Sequence, residues 1–125
     1  MPDSRSFILV GHCRPDVFML KTVVSRAVPD ARIEAVNDEA ALNTHLRADS
    51  VLLVNRVLDG GFDLDNGIEL IKQVSAGENG PVSILVSNFD EAQAEAIAAG
   101  ARRGFGKGDL YHVDTAEILR GAAWD

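Results

Sequence analysis

Three places in this chain of 125 residues bring chemically capable side chains together. His12-Cys13 sets an imidazole, which titrates near neutral pH and ligates metals, beside the only thiol. Asp59, Asp63 and Asp65 crowd one loop, Asp59-Gly60-Gly61-Phe62-Asp63-Leu64-Asp65-Asn66-Gly67. Ser87-Asn88 and Lys107 offer a hydroxyl, an amide and an ammonium. Each has a plainer reading. A metal site takes about three or four protein ligands, and His12 and Cys13 are only a pair, so no metal is expected and a packed thiol beside a loop imidazole is favoured. Asp63-x-Asp65-Asn66-Gly67 lacks the later glutamate of a calcium loop, so the acidic segment reads as a solvated turn. Ser87 reads as a hydroxyl capping the turn at Asp90, and Lys107 as a lysine satisfied by Asn55 or a loop carbonyl. No Ser/His/acid set, G-x-S-x-G elbow or glycine-rich phosphate loop is recognisable, so the chain is not expected to be an enzyme.

The elements that must position these groups follow from hydrophobic periodicity. Phe7-Ile8-Leu9-Val10 is a wholly apolar run stopped by Gly11, as a strand buried on both faces would be. Val17, Leu20, Val23, Val24 and Ala27 then recur at helical spacing after Pro15-Asp16 and end before Pro29. Arg32 to Val36 is a weaker strand. Asp38 is a candidate N-cap for a helix carrying Ala41, Leu42 and Leu46. Ser50-Val51-Leu52-Leu53-Val54 is the strongest strand and runs into Asn55; helical spacing resumes at Ile68, Leu70, Ile71 and Val74. Pro81 to Val86 reads as a fourth strand, Asp90 to Ala99 as an Ala-rich helix stopped by Gly100, and 103–107 as a short fifth strand. Asp114 is the expected cap of a last helix through Ala116, Ile118, Leu119 and Ala123.

Strands and helices therefore alternate five times, with connections suited to crossover helices. That pattern predicts a three-layer α/β sheet of parallel strands with right-handed crossovers, in a single domain, 1–125. Ligands of such sheets sit beyond the carboxyl ends of the strands, where Gly11-His12-Cys13, Asn55, Ser87-Asn88 and Lys107 fall.

Composition narrows the classes. Apolar residues make up 46% and charged residues 25%, which is globular usage rather than disorder. Nineteen acidic residues against 12 Lys and Arg leave a net charge of −7, so direct nucleic-acid binding is disfavoured. No apolar run approaches the roughly 20 residues of a membrane span, and the opening Met1-Pro2-Asp3-Ser4-Arg5 is polar. A cytoplasmic protein without membrane contact is expected.

Over nearly its whole length the chain resembles the receiver domain of bacterial response regulators. Leu52-Leu53-Val54-Asn55 resembles the strand that delivers the family's phospho-accepting aspartate. Asp65-Asn66-Gly67-Ile68-Glu69-Leu70 resembles the D-G-x-E-L that opens its third helix. Ile84-Leu85-Val86-Ser87-Asn88-Phe89-Asp90-Glu91 resembles its fourth strand with the switch hydroxyl, and Ala99-Gly100-Ala101 followed by Lys107 its A-G-A…K. The resemblance implies a CheY-like, flavodoxin-like sheet of order 2-1-3-4-5. It also implies a two-component or phosphorelay role, with a histidine kinase or an output protein as partner.

The departures define an atypical receiver, or pseudo-receiver. The acceptor position holds Asn55, and an amide is too weak a nucleophile to take a phosphoryl group. Gly11 and His12 stand where the family's acidic pair holds Mg²⁺, so Mg²⁺ binding is expected to be lost and no cofactor remains. Gly108 replaces the proline after the lysine, and Gly104, with Phe105 beside it, replaces the aromatic switch. Of the pocket set Gly11, His12, Asn55, Ser87 and Lys107, only Ser87 and Lys107 match the family. The expected function is phosphorylation-independent protein–protein interaction through the last helix and fifth strand, with Arg102-Arg103 as candidate contacts and an Ala-rich face over Glu91 to Ala99 that could support a homodimer. Two alternatives stay open. The vacated strand-end pocket could bind a small molecule or anion, or a loop aspartate, Asp59 or Asp63, could accept phosphate in place of Asn55.

Overall fold

A computed structural model describes residues 4–77 and 80–125; the polar opening at Met1–Asp3 lies outside them. The strands are β1 (Ser6–Val10), β2 (Ile33–Val36), β3 (Ser50–Asn55), β4 (Val82–Val86) and β5 (Arg102–Phe105). They alternate with α1 (Arg14–Ala27), α2 (Glu39–Asn43), α3 (Gly67–Ser75), α4 (Asp90–Ala98) and α5 (Val113–Trp124). All pairings are parallel and the order is β2-β1-β3-β4-β5, the expected 2-1-3-4-5 sheet.

Because β1, β3 and β4 are central and covered on both faces, their apolar runs are continuous rather than alternating. Alternate residues feed two cores. Phe7, Leu9, Val51, Leu53, Ile84 and Val86 pack with Leu20, Val24 and Leu119 under α1 and α5. Ile8, Val10, Leu52, Val54 and Leu85 pack with Leu42, Leu70, Ile71 and Ala96 under α2, α3 and α4. Phe7, Ile8, Leu9, Leu52, Leu53, Ile84 and Leu85 are wholly inaccessible. At about 1.5–3 kcal/mol for each large apolar side chain removed from water, this sandwich is the main source of stability.

The boundaries depart from expectation at three points. Helix α2 stops at Asn43, where the Thr44 hydroxyl donates to the Ala41 carbonyl, so Leu46 packs from a loop. Strand β5 stops at Phe105, and Lys107 opens a 3₁₀ turn, Lys107–Asp109. Asp114 does not cap α5: the His112 ring accepts from the Asp114 N–H at 3.1 Å, which places Asp114 in the first turn, 3.7 Å from Arg103. Among the described residues no helix is long and apolar enough to cross a membrane.

Candidate functional site

The strand-end site begins at Gly11, which leaves β1 with φ +74; an added Cβ would lie 2.7 Å from Leu58 Cδ2. Only glycine takes that turn freely. Its carbonyl accepts from the Asn55 side chain at 3.0 Å and from the Asp59 N–H at 2.9 Å, tying the ends of β1 and β3 together.

His12 and Cys13 exchange the places expected of them. Cys13 is exposed at the N-terminus of α1, whereas His12 is 1% exposed. The imidazole continues β1 inward and its Nε2 lies 2.8 Å from the Leu53 carbonyl. A carbonyl only accepts, so Nε2 carries the proton and Nδ1 is left as a lone pair that meets no donor among the described residues. Burial lowers the His12 pKa from 6.5 to about 4, and the Lys107 charge adds to the fall, so the ring is neutral at physiological pH.

Asn55 engages both ends of its amide. Nδ2 donates to the Gly11 carbonyl at 3.0 Å and to the Val57 carbonyl at 2.8 Å, while Oδ1 accepts from Lys107 Nζ at 3.3 Å. A carboxylate could not make the first two contacts, because both partners are acceptors. The expected Asn55–Lys107 bond is therefore present, but it is the weaker of two. Lys107 Nζ lies 2.5 Å from Asp16 Oδ2, in a pair whose side chains are 28% and 20% exposed. Asp16 is the site residue that sequence reading missed. Its hydrogen bond from Lys107 holds its carboxyl below the usual range against the opposing effect of burial, and the Cys13 thiol adds a smaller push in the same direction.

The Ser87 hydroxyl accepts from the Phe89 N–H at 3.2 Å, one residue short of the expected Asp90. Next to it, Asn88 Oδ1 accepts from the Gly108 N–H at 3.0 Å. The β3–α3 loop is folded back on the ends of β1 and β2. Asn37 donates to the Asp59 carbonyl at 3.3 Å, the Gly61 N–H donates to Asn37 at 2.7 Å, and the Asp63 N–H donates to Glu39 at 3.2 Å. Asp59 and Asp63 are exposed, and the carboxylate paired with Lys107 is that of Asp16. Arg102 and Arg103 are exposed, as expected. Among the described residues no group of three or more His, Cys, Asp or Glu could hold a metal ion.

Fold and site together define a five-stranded flavodoxin-like α/β domain with a polar cluster beyond β1, β3 and β5. Solved receiver domains share this fold. The signal receiver domain of a DNA-binding response regulator, merR, from Colwellia psychrerythraea 34H superposes with a TM-score of 0.71 over 94% of this chain and 96% of that one, at 16% identity. A response regulator receiver domain from Rhodospirillum rubrum gives 0.63 over 93% and 89%, at 14% identity. NtrX from Brucella abortus gives 0.69 at 17% identity, where 98% of this chain covers 27% of that longer one. No family model and no curated protein matches the chain.

Proposed function

We propose that this domain is a receiver-like module of a two-component type of signalling system that works without phosphorylation, by binding a protein partner such as a histidine kinase or an output protein. One observation carries the reading: the pocket is already satisfied by its own side chains. Lys107, the group that would face an acceptor carboxylate or its phosphate, is paired with Asp16 and Asn55. The Asn55 amide is too weak a nucleophile to take a phosphoryl group, and both of its N–H donors are spent on backbone carbonyls. Mg²⁺ does not fit this donor set. The carboxylate at hand already carries an ammonium at 2.5 Å, and His12 is buried, where a hard cation preferring oxygen ligands gains nothing. The same pairing weighs against a ligand in the strand-end pocket and against Asp59 or Asp63 acting as acceptor. The partner face in this reading runs along β5 and α5, where Val113 and Trp124 are exposed apolar groups and Arg102 and Arg103 are exposed. The domain is not an enzyme in this reading and acts in the cytoplasm.

The test is an amide NMR titration with Mg²⁺ and beryllofluoride, the acyl-phosphate mimic, with intact-mass analysis after acetyl phosphate treatment. The expected result is an unchanged spectrum around Asn55, Ser87 and Lys107 and an unchanged mass. A saturable shift at those residues, or a phosphate mapped to Asp59 or Asp63, overturns the reading.

A further inference from the structure

A second cationic site lies in a cleft of about 240 Å³ between α1 and α5, whose lining does not include Asp16. Its floor is apolar: Val23, Ala27 and Leu110 are buried, and Ala116 is half-buried. Its rim is built of Arg26, Arg120, Tyr111 and His112. The two arginines are held in place. Arg120 Nε donates to the Ala27 carbonyl at 3.1 Å, at the end of α1, and the Arg26 guanidinium sits 5.6 Å from the centroid of the Tyr111 ring. Neither is in an ion pair among the described residues. No carboxylate lines the cleft. Asp114 lies 3.6 Å from His112 Nδ1 and 3.7 Å from Arg103, in the neighbouring depression.

Two guanidiniums thus stand over an apolar floor in a cleft whose lining holds no carboxylate. Arginine forks match the oxygens of phosphate and carboxylate, and an apolar floor rewards a body that leaves water. A cleft just below the roughly 300 Å³ of ordinary ligand sites suits a small molecule. From this we propose that the α1/α5 cleft binds a small organic anion. Its phosphate or carboxylate head lies on Arg26 and Arg120, and its short apolar or aromatic body lies on Val23, Ala27, Leu110 and Ala116 beside the Tyr111 ring. The site is separate from the strand-end pocket and stands whether or not a protein partner binds β5 and α5.

The experiment titrates the whole chain with phenyl phosphate, benzoate and inorganic phosphate, followed by amide NMR. The proposal expects saturable shifts at Ala27, Leu110, Tyr111, Ala116 and Arg120, with either aromatic anion at least about tenfold tighter than inorganic phosphate because only the former reach the floor. Phenyl phosphate against benzoate decides which head group is preferred. Arg26→Gln with Arg120→Gln weakens binding by about tenfold or more, while Arg103→Gln leaves it unchanged. Should the double variant fail to fold, Arg26→Gln alone serves, because its guanidinium contacts only the exposed Tyr111 ring. Shifts scattered over the surface, equal affinity for inorganic phosphate, or the same loss in Arg103→Gln each overturn the proposal.

Discussion

The strand-end pocket and the α1/α5 cleft are both built around cationic side chains, and they treat the charge in opposite ways. In the pocket, Lys107 is drawn 2.5 Å from Asp16 and braced by Asn55, so the charge is cancelled where it stands. In the cleft, Arg26 and Arg120 are held by an aromatic ring and a carbonyl, neither of which carries a negative charge. The location that a parallel α/β sheet normally reserves for ligands is therefore self-contained, whereas the cleft between two helices is lined by two arginines and no carboxylate. Position in a fold marks where chemistry can happen; charge balance decides whether anything is left to bind.

Acid breaks this contrast most strongly, through His12. Its pKa is about 4 in the folded chain against 6.5 when exposed. Between those values the unfolded chain binds the extra proton, so stability falls as pH drops from about 6.5 to about 4 and is unaffected by His12 above that window. The full effect is about 3 kcal/mol, since the ring is almost wholly buried. Urea unfolding of the wild type between pH 7 and pH 4.5 should show this slope, and His12→Leu should flatten it while losing the bond to the Leu53 carbonyl. A wild-type stability independent of pH in that range would mean that the imidazole is not sealed in.

The next effect comes from Asn55→Asp. Restoring a carboxylate at the end of β3 places an oxygen against the Gly11 and Val57 carbonyls, which now receive hydrogen bonds at 3.0 and 2.8 Å. Two acceptors left facing a third should destabilise the domain by about 2 kcal/mol at neutral pH, partly offset by the lysine. The loss should shrink in acid, when the new carboxyl can donate to one of them. Equal or greater stability of the variant in thermal unfolding would show that the amide is not the bracket described above.

Much of the fold was legible because central parallel strands advertise themselves. Phe7 to Val10, Val51 to Val54 and Ile84 to Val86 are apolar without alternation, and their carboxyl ends located Gly11, Asn55 and Ser87. The rest depended on contacts that sequence spacing does not encode. Asp16 sits in the first turn of α1, where an acid is explained locally by the helix dipole, yet its partner is 91 residues away. The exchange between His12 and Cys13 turns on which residue the chain tucks under β3 as it leaves β1. Polarity alone favours the thiol for burial; the Leu53 carbonyl favours the imidazole. Asp is a preferred N-cap and so points to Asp114, whereas the ring nitrogen of His112 fills that place.

The smallest effect tests the contrast most directly, because it would make the pocket resemble the cleft. Asp16→Asn keeps the side chain's shape and removes its charge, leaving Lys107 with two amide oxygens in reach. Both partners are partly accessible, so the stability lost is about 1 kcal/mol. Asp16 is held below the ordinary carboxylate range in the folded chain. Its contribution is therefore present at neutral pH and disappears as acid carries the wild type down through that lowered value. The gap between wild type and variant should close there, apart from a small difference at His12, whose pKa the Asp16 charge raises and the variant lets fall. The freed ammonium has a second consequence. Inorganic phosphate should now shift the amides of Asn55, Ser87 and Lys107 in the variant and leave them still in the wild type. If the wild type responds as the variant does, Asp16 is not what keeps anions out, and the pocket and the cleft are alike after all.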